Sequence, residues 1–225
     1  MLGVWRVHAV WCQFSVDPRA VDAVLAHLAE GVVPKARAIR GFVSFVAYDD
    51  GTGAVTAVAT FETLDAAVVA RDAFDAWLRT PSAPVGSESR VRVGMLAVRT
   101  VSIGANHAMT LRCNVEPTHL DRAIALLQAE FLPLIRSTRG FCSCEVIRID
   151  NTSDLVVICG FDTRVAADRV SDLTSDWIRQ NLGAFLSGTA ERLSVTVRLR
   201  AVPSVDQGRR GFRWPTRRRI ADPGA

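Results

Sequence analysis

The sequence predicts an α+β protein built from two fused ferredoxin-like βαββαβ repeats. The first observation is an internal similarity, because the Arg-Gly-Phe at residues 40–42 returns at residues 139–141, and Gly41 and Gly140 lie 99 positions apart. The second is that helical and alternating apolar patterns follow one another in the same order in both halves. A similarity that continues on both sides of one motif indicates tandem duplication of a single structural unit.

The aligned positions extend across nearly the whole of both halves. Before the glycines, the offset of 99 pairs His8 with His107, Val16 with Val115, Pro18 with Pro117, Leu28 with Leu127 and Pro34 with Pro133. After them, one inserted residue changes the offset to 100, which pairs Phe61 with Phe161, Thr63 with Thr163 and Trp77 with Trp177. The chain therefore divides into a first repeat (1–102), a second repeat (103–203) and a tail (204–225).

In the first repeat, four strands alternate with two helices. Alternating or continuous apolar runs predict strands over residues 4–16, 42–48, 54–61 and 90–101. Asp17 followed by Pro18 predicts the start of the first helix, and Thr63 predicts the N-cap of the second. The turn at residues 49–53 contains Asp-Gly between two strand-like runs, which is a hairpin signal. A loop rich in Pro, Ser and Gly precedes the last strand.

The second repeat gives the same order. Strands are predicted over residues 107–115, 141–149, 155–161 and 191–201, and helices over 116–136 and 163–182. This is the ferredoxin-like order, in which two helices cover one face of a four-stranded antiparallel sheet. Because the first strand is apolar on both faces, the far face of each sheet also needs cover. We therefore expect the two sheets to pack face to face, with the helices outside, in one pseudo-symmetric barrel per chain.

Composition excludes several classes of function. The net charge is +4, and the tail carries six arginines against two aspartates. Residues 1–203 are therefore formally neutral and show no excess of basic residues for binding nucleic acid. The tail itself is predicted to be disordered. No apolar run is long enough to span a membrane. Five cysteines without framework or metal-site spacing indicate reduced thiols in a cytoplasmic protein without a metal.

Three motifs recur in the two repeats: the Val-[Asp/Glu]-Pro that opens the first helix, the Arg-Gly-Phe before the second strand, and Phe-x-Thr-x-x-Ala-Ala followed by a Trp in the second helix. These motifs resemble the antibiotic-biosynthesis-monooxygenase (ABM) type of dimeric α/β barrel. The second repeat is the closer match, with Asp-Trp-Ile-Arg-Gln-Asn-Leu at residues 176–182. The resemblance covers nearly all of residues 5–201 and implies an internal pseudo-dimer, while a further homodimer is left open.

The resemblance also implies an activity. Members of this family oxygenate aromatic polyketides, phenols or anthrones without metal or flavin. A base deprotonates the ring hydroxyl, and the anion then passes an electron directly to O₂ in a dry pocket. The expected function is therefore a cofactor-independent oxygenase in natural-product biosynthesis, with no cofactor. Its partners would be O₂ and a small planar phenol, hydroquinone or quinone, and its substrate and regiochemistry stay open.

The candidate site residues follow from the face of the first strand in each repeat. His8 and His107 are the histidines that recur in register, and a neutral imidazole is a suitable base near pH 7. The resemblance places the ligand on that face, between sheet and helices, with Trp177 and Trp77 as flat walls. The second repeat would also contribute three apolar residues to the substrate pocket, Met109, Leu111 and Phe161. A different interpretation of the same residues is that the histidines are half-exposed and the tryptophans only pack in the core.

Haem-degrading relatives carry a histidine about ten residues after the helical tryptophan, where this chain has Ser87 and Ser187. They also carry an asparagine in the first strand, where this chain has Cys12 or Leu111. Both departures argue against haem degradation. Two functions without oxygen chemistry stay open, a non-oxidative cyclase or isomerase of polyketide intermediates and a small-molecule-binding protein that catalyses no reaction. Helix–sheet spaces filled by side chains would favour the binding protein.

Overall fold

The computed structural model describes residues 7–80, 89–100 and 104–203. The first half contains the strands β1 (His8–Ser15), β2 (Phe42–Asp49), β3 (Ala54–Phe61) and β4 (Arg90–Thr100). Its helices are α1 (Val21–His27), α2 (Val33–Ala38) and α3 (Leu64–Leu78). The predicted start of the first strand at residues 4–6, most of the loop before β4, and the tail lie outside the described residues.

The second half has the same order of elements. Its strands are β5 (His107–Asn114), β6 (Phe141–Ile149), β7 (Asp154–Phe161) and β8 (Glu191–Ala201). Its helices are α4 (Leu120–Leu126), α5 (Leu132–Arg136) and α6 (Arg164–Asn181). The described residues also include three short 3₁₀ turns, at Pro18–Ala20, Pro117–His119 and Gly183–Phe185.

The strands of the described chain form one closed antiparallel barrel in the order β1-β3-β2-β8-β5-β7-β6-β4. The first four strands are contiguous in this order, and so are the last four. Their edges are joined by two ladders, β2 with β8 and β4 with β6, in which Val46 lies opposite Arg200 and Arg99 lies opposite Glu145. The α+β ferredoxin-like class is confirmed, and the edges of the two strand groups are hydrogen-bonded to each other rather than only stacked.

Local signals fix the ends of the helices as expected. Asp17 accepts a hydrogen bond from the backbone N–H of Arg19 at 2.8 Å. Thr63 and Thr163 accept from the backbone N–H groups three residues later, at 3.2 and 3.3 Å. Each cap satisfies an N–H group that the first helical turn leaves without a partner. The predicted starts of these helices are therefore confirmed.

The first helix of each half contains a wider turn that the sequence pattern did not predict. A π-helical stretch occupies Leu28–Val32 before α2 and Leu127–Phe131 before α5. In both places a proline follows, Pro34 or Pro133, at the second position of the next α-helix. A proline ring lacks an N–H donor and collides with the carbonyl four residues earlier in an α-helix. The wider turn accommodates the proline without ending the helix.

The repeated Arg-Gly-Phe forms the turn between helix and strand. Gly41 and Gly140 have φ values of +85° and +89°, a region that favours glycine. The carbonyl oxygen of Gly140 accepts from the N–H of Asp162 at 3.0 Å, and a Cβ at Gly140 would collide with the Asp162 carboxylate. The positive φ therefore favours glycine at this position, and a Cβ would also require the Asp162 side chain to move.

The core has three parts. Val10, Cys12 and Phe14 pack with the helices of the first half, and Met109 and Leu111 pack with those of the second half. The third part fills the barrel with residues from the opposite strand faces, including Ala9, Trp11 and Ala108. The helix-facing phase predicted for the first strand of each half is thus the one observed. None of the described helices is long and apolar enough to cross a membrane.

Candidate functional site

A pocket of about 240 Å³ opens beside His107. It lies where the β2–β3 hairpin of the first half meets the second half at β8 and the start of α6. The first half contributes Asp49, Asp50 and Gly51 to its wall. The second half contributes His107, Arg164, Ala167, Ser194, Val195, Thr196 and Arg198. The pocket is therefore built by both halves and is lined mainly by polar groups.

His107 is placed by the start of β5. It lies opposite Phe161 in the ladder with β7 and opposite Thr196 in the ladder with β8. Backbone hydrogen bonds from Asn106 to Phe161 and from Val197 to Asn106, both 2.9 Å, anchor the residue before it. Its side chain is half-buried and faces the helices. An imidazole held in this way can accept a proton from a ligand in the pocket.

Arg198 forms the wall nearest the first half. It lies where the β2–β8 register shifts between Ala47 and Tyr48, so it has no residue opposite it in that ladder. Its Nη1 donates to Asp49 Oδ2 at 2.8 Å, and its Nη2 donates to Asp22 of α1. Asp49 also accepts from the Gly51 N–H at 2.8 Å. The guanidinium is therefore held from two sides by carboxylates of the first half.

The His8 environment differs from that of His107. His8 lies opposite Phe61 and Met95, so Met95 occupies the ladder position that Thr196 has at His107. Two residues to either side, β4 has Val93 and Ala97, where β8 has Ser194 and Arg198. The Nδ1 atom of His8 is buried without a hydrogen-bond partner in the described structure. The two histidines thus have similar backbone positions and unlike surroundings.

The apolar residues predicted to bind substrate lie in the core. Met109, Leu111 and Phe161 are fully buried, and Trp177 is 8% exposed. Trp177 packs against Phe131 with ring centroids 5.0 Å apart. In the first half, Trp77 is equally buried and meets Phe14 edge to face at 6.0 Å. In this structure the helix–sheet spaces at these residues are occupied by side chains.

The structure does not bring His107 and Trp177 into one site. Arg164 lines the His107 pocket at the first residue of α6, and Trp177 follows thirteen residues later. At the rise of an α-helix, this separation corresponds to roughly 20 Å. The roles predicted for Trp177, Trp77, Met109, Leu111 and Phe161 stay predictions, and they would require the core to open.

A second, much smaller cavity lies inside the barrel near its other end. It measures about 20 Å³ and is lined by Trp11, Gln13, Arg112 and Glu191, among others. Arg112 lies 3.8 Å from Asp154 and 3.7 Å from Glu191, and its guanidinium lies over the Trp11 ring. A space of this size holds about one water molecule. The cavity is therefore too small for an aromatic substrate.

The sequence interpretation missed several lining residues. Asp49 and Asp50 were assigned only to a hairpin turn, and Ser194, Thr196 and Arg198 only to a strand. A signal was present, since β8 has polar residues at alternate positions where β4 has Val93, Met95 and Ala97. Among the described residues, no group of three or more His, Cys, Asp or Glu side chains is arranged to hold a metal ion.

Several solved structures share this fold. A candidate monooxygenase from Lactobacillus acidophilus superimposes with a TM-score of 0.65 at 11% identity, over 88% of this chain and 96% of that chain. A protein described as anthrone oxidase-like has a TM-score of 0.68 at 12% identity, over 87% and 93% of the two chains. Similarity at these identities establishes the fold and leaves the activity to be argued from the site.

A ferredoxin-fold protein from Listeria monocytogenes, described as related to antibiotic biosynthesis monooxygenases, matches with a TM-score of 0.51 at 9% identity, over 86% of this chain and 95% of that chain. No protein-family model matches the sequence, and no curated protein matches it. The fold is therefore that of ABM-like α/β-barrel proteins, and the resemblance predicted from the sequence is confirmed at that level.

Proposed function

We propose that the protein is a cofactor-independent oxygenase that acts on a planar aromatic phenol, hydroquinone or quinone of the polyketide type, with O₂ as the second substrate. The observation that carries this proposal is the polar pocket beside His107. It combines a proton acceptor, two hydroxyl donors at Ser194 and Thr196, and a volume of about 240 Å³, which exceeds the roughly 150 Å³ of a cavity that holds benzene. The fold shared with monooxygenases supports the same class of reaction.

In the proposed reaction, His107 removes a proton from a ring hydroxyl or an activated ring carbon. The resulting anion gives one electron to O₂, and the radical pair combines to a peroxide on the ring. The protonated His107 returns its proton to the peroxide, and loss of water from the hydrogen-bearing carbon leaves a carbonyl, so O₂ supplies one oxygen to the product and one to water. Ser194 and Thr196 can donate hydrogen bonds to the developing oxyanion. This sequence of steps requires no metal or flavin.

The second half is proposed to hold the active pocket, and the first half to have lost it. At the positions that Thr196, Ser194 and Arg198 occupy around His107, the first half has Met95, Val93 and Ala97 around His8. A base without nearby donors cannot stabilise the anion that it creates. The equivalent placement of β1 and β5 also supports a tandem duplication whose two copies form an internal pseudo-dimer.

A second candidate function is small-molecule binding without chemistry. It is favoured by the filled helix–sheet spaces, where Met109, Leu111 and Trp177 are core residues. A non-oxidative cyclase or isomerase would use the same pocket and base but no oxygen. The proposed setting for each of these functions is a natural-product pathway in the cytoplasm, in line with the free cysteines of the chain.

The test is oxygen uptake by chelator-treated protein over a panel of naphthols, anthrones and hydroquinones, corrected for autoxidation. We expect uptake that falls by about 10²–10⁴-fold in His107→Gln, the usual contribution of a general base. His8→Gln is the matched control and should retain at least half of the activity. Equal losses in the two variants would contradict the assignment to the second half, and product formation that proceeds without oxygen would identify a non-oxidative enzyme.

A further inference from the structure

We infer that the His107 pocket selects uncharged rings and discriminates against substrates that carry a carboxylate. The inference deepens the proposed function, because it rests on this pocket being the substrate site. It concerns the charges around the pocket and does not depend on whether the bound ring is later oxygenated. Its basis is that both arginines of the described wall already have carboxylate partners.

Of the two arginines, Arg198 is the better placed to bind a substrate carboxylate, but it is also the more firmly held by carboxylates of the protein. Its two terminal nitrogens donate to Asp49 and Asp22, which lie on different elements. The Asp49 side chain is only 9% exposed and receives a second hydrogen bond from Gly51. Separating Arg198 from Asp49 would leave a nearly buried carboxylate without its cation, which is strongly unfavourable. A substrate carboxylate cannot displace Asp49 without that cost.

Arg164 does not supply a free cation for a substrate carboxylate either. Its Nε lies 3.6 Å from the carboxylate of Asp168, one turn later on α6, and its side chain is 70% exposed. A charge in that setting is screened by water and by the neighbouring carboxylate. It offers an incoming anion little net attraction.

The wall contains one further acid, Asp50. It accepts hydrogen bonds from the Thr52 and Ala54 backbone N–H groups at 2.8 and 3.0 Å, which holds its carboxylate at the hairpin. The pocket is therefore lined by two carboxylates, Asp49 and Asp50, and by two guanidinium groups, Arg164 and Arg198, each of which is paired with a carboxylate. A substrate carboxylate would find no unpaired cation in this wall.

A neutral phenol meets complementary groups instead. Its hydroxyl can donate to the His107 imidazole and accept from the hydroxyls of Ser194 or Thr196. A carboxylate on the same ring would have to lose hydration without gaining a cation, which costs binding free energy. The polar wall therefore distinguishes two ligands that differ only in charge.

The test compares 6-hydroxy-2-naphthamide with 6-hydroxy-2-naphthoate, which are matched in shape, by titration calorimetry in oxygen-free buffer. The protein should bind the amide at least tenfold more tightly than the carboxylate. Asp49→Asn removes one partner of Arg198 and should reduce that preference by about fivefold or more. Asp22→Asn should also reduce the preference for the amide. Because the Asp22 side chain is 85% exposed, this variant provides the test if Asp49→Asn fails to fold.

The control is Asp121→Asn, because Asp121 pairs with Arg148 away from the pocket wall. It should leave the ratio of the two affinities unchanged. Equal or tighter binding of the carboxylate by the unaltered protein would overturn the inference, and so would failure to bind either ligand. Selective binding of the amide without any oxygen uptake would contradict the proposed oxygenase activity. It would still support the inference that the pocket selects uncharged rings.

Discussion

Arg198 Nη1 donates to Asp49 Oδ2 at 2.8 Å although the two residues are 149 positions apart in the chain. The contact joins β8 to β2, at one of the two ladders that close the barrel. It also sets one wall of the His107 pocket, because both residues line it. The same pair therefore links the two halves beside a closing ladder and lines the candidate site.

The first prediction concerns this pair. Arg198→Ala should lower the free energy of unfolding by about 1.5–3 kcal/mol, the usual effect of removing a hydrogen-bonding partner from a charged group. The reason is that Asp49 would keep a nearly buried charge without its cation. Urea unfolding monitored by circular dichroism measures the change. Arg148→Ala is the matched control, since its pair with the almost fully exposed Asp121 should contribute less than about 1 kcal/mol. Equal losses would show that burial of Asp49 does not matter.

The second prediction tests whether Trp77 and Trp177 are core residues or contact the substrate. Trp77→Ala and Trp177→Ala should each destabilise the fold by about 3–5 kcal/mol, because each ring fills space against buried aromatic neighbours. Trp177→Phe keeps most of that volume and should preserve both folding and KM for a panel substrate. Stopped-flow or steady-state oxygen uptake gives KM. A large rise in KM for Trp177→Phe with normal stability would instead place substrate at Trp177.

The third prediction uses Glu145, whose side chain is 17% exposed inside the barrel beside Arg99. Burial raises the pKa of this carboxyl from its ordinary value of 4.5 and outweighs the lowering by Arg99. A raised folded-state pKa gives stability that is complete below the ordinary value and is lost as the pH rises through the folded pKa. The stability of Glu145→Gln relative to the unaltered protein should therefore increase from about pH 4 to about pH 8.

Unfolding free energies across that pH range check the prediction. Glu191→Gln is the control, because it also removes a carboxylate, but from a side chain that is 53% exposed. A Glu145→Gln difference that falls as the pH rises would mean that Arg99 dominates over burial.

The fourth prediction concerns thiol reactivity. Cys12, Cys113, Cys144 and Cys159 are buried, whereas Cys142 is half-buried. Burial raises the pKa of Cys113 to about 12 and also raises the pKa values of Cys12, Cys159 and Cys142, so Cys142 is distinguished by its greater exposure to reagent. The thiolate is the reactive form and needs access to the reagent. In the native protein one thiol should therefore react faster than the others with a disulfide reagent, and after denaturation all five should react rapidly. Cys142→Ser should abolish the fast phase. Two fast thiols in the native protein would indicate that the core opens.

Much of the fold could be predicted from local patterns. The N-caps at Asp17 and Thr63 and the final strand Glu191–Ala201 were found where expected, because each depends on neighbours a few residues away. The π-helical stretches before Pro34 and Pro133 were missed, since a stripe of apolar residues does not distinguish an α-helix from a helix with one wide turn. The duplication itself stays a prediction, supported by the order of the elements.

The candidate site was only partly predictable. His107 was selected from its position in the aligned halves, and it does line a pocket. Trp177 was expected beside it, but the direction of α6 separates them along the helix. The alternating polar residues of β8 were a signal for Arg198, but its contact with Asp49 could not be predicted, because nothing in a hairpin turn or an alternating strand indicates which distant residue it will meet.

By itself, the sequence determined the class of the fold, the order of its elements and the face of β1 and β5 that meets the helices. These properties follow from periodicity, caps and turns, which act over a few residues. Only the tertiary structure decided that β2 pairs with β8, that Arg198 is shared by Asp22 and Asp49, and that His107 rather than His8 has polar neighbours. Those outcomes depend on the register of strands far apart in the chain, where a shift of one residue turns each side chain to the other face of the sheet.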